Sequence, residues 1–321
     1  MGKDIRYSII IPVYNEEAVL EQTYQRLKQV LTSIGEPYEL IFVNDGSSDR
    51  SVPLIKGFCD RDQSVKLISF SRNFGHQVAI TAGMDYSTGA AVVVIDADLQ
   101  DPPELILKMI AKWKEGYEVV YAKRNHRDGE TFFKKQTAHL FYRLLRASTD
   151  IDIPVDTGDF RLIDRKVCNV LKQLPEKNRY VRGLVSWVGF RQTAVEYDRD
   201  ARLAGESKYP LKKMIKLCVD GLTSFSFKPI KLASYSGALL IALGLVYLVF
   251  LILFKLLGDT IGGWNLVLAS ELVLSGFVLT MMGVMGEYVG RIYDEARNRP
   301  LYIVGESYRN EEKEKNVMKI G

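Results

Sequence analysis

Two aspartates one residue apart, Asp96 and Asp98, head the stretch Asp96-Ala97-Asp98-Leu99-Gln100-Asp101-Pro102-Pro103. They directly follow Ala90-Ala91-Val92-Val93-Val94-Ile95, an unbroken apolar run of the kind that forms a strand buried on both faces. In an open α/β sheet, ligands bind in the crevice at the carboxyl ends of the strands. Two carboxylates delivered there suit Mg2+ or Mn2+, hard cations that take one or two carboxylates and leave their other positions to substrate phosphates and water. A plain turn would instead leave Asp96 and Asp98 solvated; their place at a strand end favours the metal. Asp101, in front of Pro102 and Pro103, reads as the N-cap of a helix.

Two further strand ends carry matching chemistry. The first run leads into Pro12-Val13-Tyr14-Asn15-Glu16-Glu17, the second into Asn44-Asp45-Gly46-Ser47-Ser48-Asp49. A ring at Tyr14 and carboxylates at Glu16 and Asp45 suit a nucleoside, stacked on one side and hydrogen-bonded through base or ribose. Taken alone, Asp45-Gly46-Ser47 would be a turn and helix cap. Three strand ends converging on one rim argue for a site.

The elements that must deliver these groups alternate. Apolar runs place strands over 7–13, 38–44, 66–70, 91–95 and 118–122. Helical periodicity lies between them, over 17–34, 50–62, 76–86 and 102–115, with Gly35 and Gly116 as stops. That βαβα order implies an α/β, doubly wound, mostly parallel sheet. The 321 residues leave room for more than this one domain, and a net charge of +4 without aromatic-interleaved basic runs gives no sign of nucleic acid. Cys59, Cys168 and Cys218 are scattered and read as reduced, buried side chains.

After about residue 199 the pattern changes. Residues 232–254 carry no charge, and a second apolar stretch, 265–288, contains Glu271, for which the sequence offers no firm role. The spacing predicts a hairpin of two transmembrane helices. Lys212, Lys213, Lys216, Lys228 and Lys231 before the first span, and Arg291, Arg297 and Arg299 after the second, place both termini in the cytoplasm. Leu211, Met214, Ile215, Cys218, Leu222 and Phe225 recur at helical spacing, as in an interfacial helix or a soluble packing helix. The expected organisation is a catalytic domain over 1–209, an amphipathic region over 210–231, two spans over 232–290 and a cytoplasmic tail over 291–321. The expected location is a bacterial inner membrane.

These motifs, together with Ser71-Arg72-Asn73-Phe74-Gly75-His76 and Gly205-Glu206-Ser207-Lys208-Tyr209, resemble glycosyltransferase family 2. Within it they are similar to the polyprenyl-phosphate glycosyltransferases of the dolichol-phosphate mannose synthase and bactoprenol glucosyltransferase type, over about residues 7–308. The resemblance implies a GT-A, Rossmann-like nucleotide-sugar domain. It implies that Pro12, Tyr14, Glu16 and Asp45 hold the base and ribose, and that Asp96 and Asp98 act with Gln100 around a metal–diphosphate. Arg124 would neutralise phosphate, and Arg202 and Lys208 would close over the diphosphate. Asp159 would stand beside the acceptor as catalytic base or orienting group. The resemblance also implies a homo-tetramer in which 300–304 supplies an exchanged strand. Lys134, Lys135 and His139, on a helix expected over 131–146, are candidates to guide an acceptor phosphate and serve equally well as a solvated face.

The activity so implied is inverting transfer of a hexose, foremost glucose from UDP-glucose, to undecaprenyl phosphate. Mannose from a GDP donor, N-acetylglucosamine and 4-formamido-arabinose are alternatives, since hexose epimers differ by one hydroxyl. A processive synthase would carry Gln-x-x-Arg-Trp, which this sequence lacks. A non-catalytic scaffold or sensor would show a degraded metal site, yet both aspartates are present.

Overall fold

The computed structural model describes residues 5–124, 157–177, 179–198 and 264–309, with isolated positions between 235 and 253. The chain divides into two compact units, residues 1–218 with 300–321 and residues 219–299.

The first unit is built on an eight-stranded sheet. Its strands are β1 (Tyr7–Val13), β2 (Tyr38–Asn44), β3 (Val65–Phe70), β4 (Ala91–Val94), β5 (Val119–Arg124), β6 (Thr157–Asp164), β7 (Gln192–Tyr197) and β8 (Val304–Tyr308), in the order β7-β5-β6-β4-β1-β2-β3-β8. The continuous apolar runs form the centre, where β4, β1, β2 and β3 are parallel. Six of these eight strands point one way, so the sheet is mostly parallel, but it is mixed rather than wholly parallel. β6 runs antiparallel to both β4 and β5, and β8 antiparallel to β3.

Both faces of the sheet are covered, as apolar residues at successive strand positions require. On one face α1 (Leu20–Ile34), α2 (Ser51–Arg61) and α4 (Leu105–Lys114) bury Leu27, Phe58 and Ile106 against Ile9, Phe42 and Val93. On the other lie α3 (His76–Tyr86) and α5 (Arg165–Gln173), with the short α6 (Val181–Trp187) following. Helix α3 sits so close to β1 that a Cβ added to Gly83 would collide with Ile10. Cys59 and Cys168 are buried and unbridged, and burial pushes the Cys59 thiol up to about 12. Cys218 lies outside the described residues.

Among the described residues the second unit holds the long helix α7 (Trp264–Ala296), of 33 residues. Among the described residues no helix is long and apolar enough to cross a membrane. The two-helix transmembrane hairpin, and with it the inner-membrane location with two spans, is thereby overturned. The reason is visible in α7: the second apolar stretch also contains Glu287, so the uncharged run between Glu271 and Glu287 is only 15 residues. At about 1.5 Å per residue that covers roughly 22 Å, short of a hydrocarbon core of about 30 Å. Glu287 pairs with Arg291 one turn on, at 3.0 Å, and Glu271 accepts a hydrogen bond from Ser275 at 3.3 Å. Residues 210–231 and nearly all of the first apolar stretch lie outside the described residues.

Candidate active site

The carboxyl ends of β1, β2 and β4 meet at one rim, and two loops there are stitched together by side chains. Asn15, at φ +53, donates its N–H to Ser47 Oγ (3.0 Å) and accepts from Ser48 N (2.8 Å). Glu16 N donates to Ser51 Oγ (3.1 Å), and Glu17 accepts from Arg50 N (2.8 Å). Pro12 is buried in β1 opposite Val43, whereas Tyr14, immediately after the strand, is 43% exposed. An exposed ring at a strand end is available for stacking.

Asp45 is buried and serves the next loop. Its carboxylate accepts from Phe74 N (2.7 Å) and Gly75 N (3.0 Å). Burial raises the Asp45 pKa, and these two N–H donors oppose the rise without cancelling it. Gly46, at φ +71, is required here: a Cβ would lie 2.6 Å from the backbone of Arg72 and Asn73. The Ser71–His76 motif is thus held against the end of β2, which aims His76 inward.

The turn after β4 carries Asp96 and Asp98. Leu99 takes the left-handed conformation at φ +54, which in a buried leucine costs about 1–3 kcal/mol and persists only where the surroundings impose it. Gln100 N donates to Asp98 Oδ1 at 3.2 Å. Asp96 Oδ1 is buried and accepts no hydrogen bond among the described residues. Burial pushes Asp96 up to about 6, with Asp159, Asp101 and Asp98 adding to the rise and His76 opposing it. Oxygen donors of this kind, one of them an orphaned acceptor, fit a hard divalent cation. Among the described residues no three His, Cys, Asp or Glu side chains form a cage of their own. The pair would hold a cation only with phosphates and water completing its shell.

Asp159 is the most heavily bonded group at the rim. Arg182 grips it in a fork, Nε to Oδ1 at 2.8 Å and Nη2 to Oδ2 at 3.1 Å. Gln77 Nε2 donates to Oδ2 at 3.1 Å, and His76 Nε2 lies 3.2 Å from the same oxygen and 3.5 Å from Asp96. Burial alone would raise Asp159, but Arg182 and His76 outweigh it and hold the carboxyl well below the usual range. Burial likewise would lower His76, yet Asp96 and Asp159 push it up to about 9.

Arg124 is occupied within the protein. Its Nε donates to Tyr197 Oη (3.2 Å) and its Nη2 lies 3.8 Å from Asp101, to which the Tyr197 hydroxyl also donates. Asp101 is therefore no helix cap: it is buried and ties β5 and β7 to the turn, and α4 begins only at Leu105. Arg202, Lys208, Lys134, Lys135 and His139 lie outside the described residues.

Sequence reasoning assigned no role to His76, Gln77 or Arg182. The available signal was a histidine directly after a glycine at the start of a helix, in the motif beginning at Ser71. Arg161 was also missed; it is buried in β6, and its Nε has no hydrogen-bond partner among the described residues.

Comparison with known proteins adds names to this geometry. Residues 8–171 match the family model described as glycosyl transferase family 2. The chain is 65% identical to "Uncharacterized glycosyltransferase YkcC" of Bacillus subtilis, over 98% of this chain and 97% of that protein. It is 39% identical to the "SfII prophage-derived bactoprenol glucosyl transferase" of Shigella flexneri, over 95% and 99%. A solved structure of glucosyl-3-phosphoglycerate synthase from Mycobacterium tuberculosis, with Mn2+, UDP and phosphoglyceric acid, is similar at 17% identity and a TM-score of 0.46, over 67% of this chain and 75% of that one. That likeness is too loose to carry an argument.

Proposed function

The chain belongs to glycosyltransferase family 2, and from that premise we propose that it transfers a glucosyl group from UDP-glucose to a polyprenyl phosphate, with inversion at the anomeric carbon. The acceptor and sugar are supported by the relatives named bactoprenol glucosyl transferase, 37–39% identical over most of this chain. The observation that carries the chemistry is Asp96 at a rim where three parallel strands end: its buried Oδ1 accepts no hydrogen bond among the described residues and has His76 Nε2 at 3.5 Å.

On this reading Tyr14 stacks on the base, with Pro12, Glu16 and Asp45 shaping the wall around it. Asp96 and Asp98, with Gln100 behind them, would hold Mg2+ or Mn2+ against the donor diphosphate. When bound, such a cation supplies positive charge at the oxygen that leaves. Arg202 and Lys208 would add to it, and Lys134, Lys135 and His139 would guide the acceptor phosphate. An oxygen of that phosphate attacks the anomeric carbon as the bond to the nucleoside diphosphate breaks. The acceptor needs little deprotonation, because a phosphate monoester has a second pKa of about 6. Asp159 therefore orients: pinned by Arg182 and of low basicity, it fixes the position of the His76 ring.

The test is transfer of radiolabelled sugar from UDP-glucose, GDP-mannose and UDP-N-acetylglucosamine to undecaprenyl phosphate in detergent, with Mg2+ or Mn2+. Glucose incorporation is expected. No lipid-linked product with any donor would sink the reading.

A further inference from the structure

The buried stripe of α1, Leu20, Tyr24, Leu27, Val30 and Leu31, contains one aliphatic hydroxyl, Thr23, which is 1% exposed. A threonine inside a helix ordinarily back-bonds to the carbonyl four residues earlier, and Thr23 Oγ1 does lie 2.9 Å from Val19 O. It lies closer, at 2.7 Å, to the carbonyl oxygen of Ala97. Ala97 is the residue between Asp96 and Asp98, and it is followed within two residues by Leu99 in its left-handed conformation.

Other contacts reach the turn on either side of Ala97, among them Ile95 N to Ile10 O (3.0 Å) and Gln100 N to Asp98 Oδ1 (3.2 Å). Thr23 grips it in the middle, from a neighbouring helix. Rotation of the Ala97 peptide would swing both flanking carboxylates, so a fixed carbonyl fixes their separation and direction. Groups that orient ligands from outside the first ring of donors strongly affect metal affinity without touching the ion. We propose that Thr23 is a positioning residue of the cation-binding turn, its hydroxyl setting the Ala97 carbonyl so that Asp96 and Asp98 present oxygens to one divalent cation. This inference rests on the metal reading above and adds to it a residue from α1.

The experiment is Mn2+ binding to the full-length protein, read from the loss of the free-ion paramagnetic resonance signal, with UDP and separately with GDP present. Thr23→Ser and Thr23→Ala both fit the space that threonine leaves and differ by one oxygen; Thr23→Val keeps the shape without the donor. Thr23→Ala and Thr23→Val should weaken Mn2+ at least about tenfold, and Thr23→Ser no more than about threefold. Thr23→Ala binding Mn2+ as tightly as Thr23→Ser would overturn the role of Thr23. Asp98→Asn separates the two readings: if it too binds like wild type, the metal assignment fails and the Thr23 role with it. If Asp98→Asn is weakened while Thr23→Ala is not, Thr23 alone is ruled out.

Discussion

The two ends of the central sheet treat an acid in opposite ways. At the amino end, Glu39 of β2 is almost fully buried and completely answered. Its Oε1 accepts from Ser8 Oγ (2.5 Å) and from Thr88 N and Oγ1 (2.8 Å each), and Oε2 pairs with Lys66. At the carboxyl end, the half-buried Asp96 has an oxygen that accepts no hydrogen bond among the described residues and only His76 at 3.5 Å, amid three other aspartates and beside a buried leucine in a strained conformation. The first arrangement stabilises a fold. The second is held in place at a cost, as expected where the missing partner is a ligand.

The contrast breaks if substitution at the rim damages stability more than turnover. Asp98→Ala should reduce transfer about 1,000-fold or more, the loss expected when a main source of charge stabilisation disappears. Its melting temperature should stay close to wild type, because the loss of the Gln100 N hydrogen bond is offset by the thinning of like charges. A large drop in melting temperature would make Asp98 a structural acid like Glu39. The converse variant, Glu39→Ala, leaves Lys66 without its buried partner and should cost about 3–5 kcal/mol in denaturant unfolding. Folded Glu39→Ala should keep its KM for the nucleotide-sugar; a raised KM would mean that the two ends communicate.

Gly46→Ala tests the rim itself. The added methyl would meet the Arg72–Asn73 backbone at 2.6 Å, at a φ that disfavours any side chain. Displacing that loop should loosen the Asp45 hydrogen bonds and move His76, for a loss of about 1–3 kcal/mol together with a higher donor KM. Stability lost with KM unchanged would detach the loop from the donor site.

The same contrast explains what could be read in advance. β1, β2 and α3 were expected with the boundaries they have, because their apolar runs and periodicity are set by burial. β6 escaped because its alternation, Asp159-Phe160-Arg161-Leu162, lasts only four residues and the charged side chains on one face are buried rather than solvated. The pair Asp96 and Asp98 was legible because one strand end delivers both. Their surroundings were not: His76 reaches Asp159 across 83 residues, and Arg182 across 23. Asp101 was mistaken for a cap because the prolines after it signal a helix start, while Tyr197, which claims its carboxylate, comes from a strand 96 residues away.

The smallest expected effect concerns acid. Burial would raise Glu39, but Lys66, Ser8 and Thr88 outweigh it and hold its pKa below the ordinary value of 4.5. A carboxyl lowered in the folded state contributes stability that is fully present above its unfolded pKa and is lost as pH falls through the folded one. The stability difference between wild type and Glu39→Gln should therefore be constant above about pH 5 and shrink progressively below 4.5. Chemical denaturation of both proteins over that range measures it. A difference that stays constant down to strong acid would mean that Glu39 is held by hydrogen bonds indifferent to its charge, and the ion pair with Lys66 would lose its place in the contrast between the two ends.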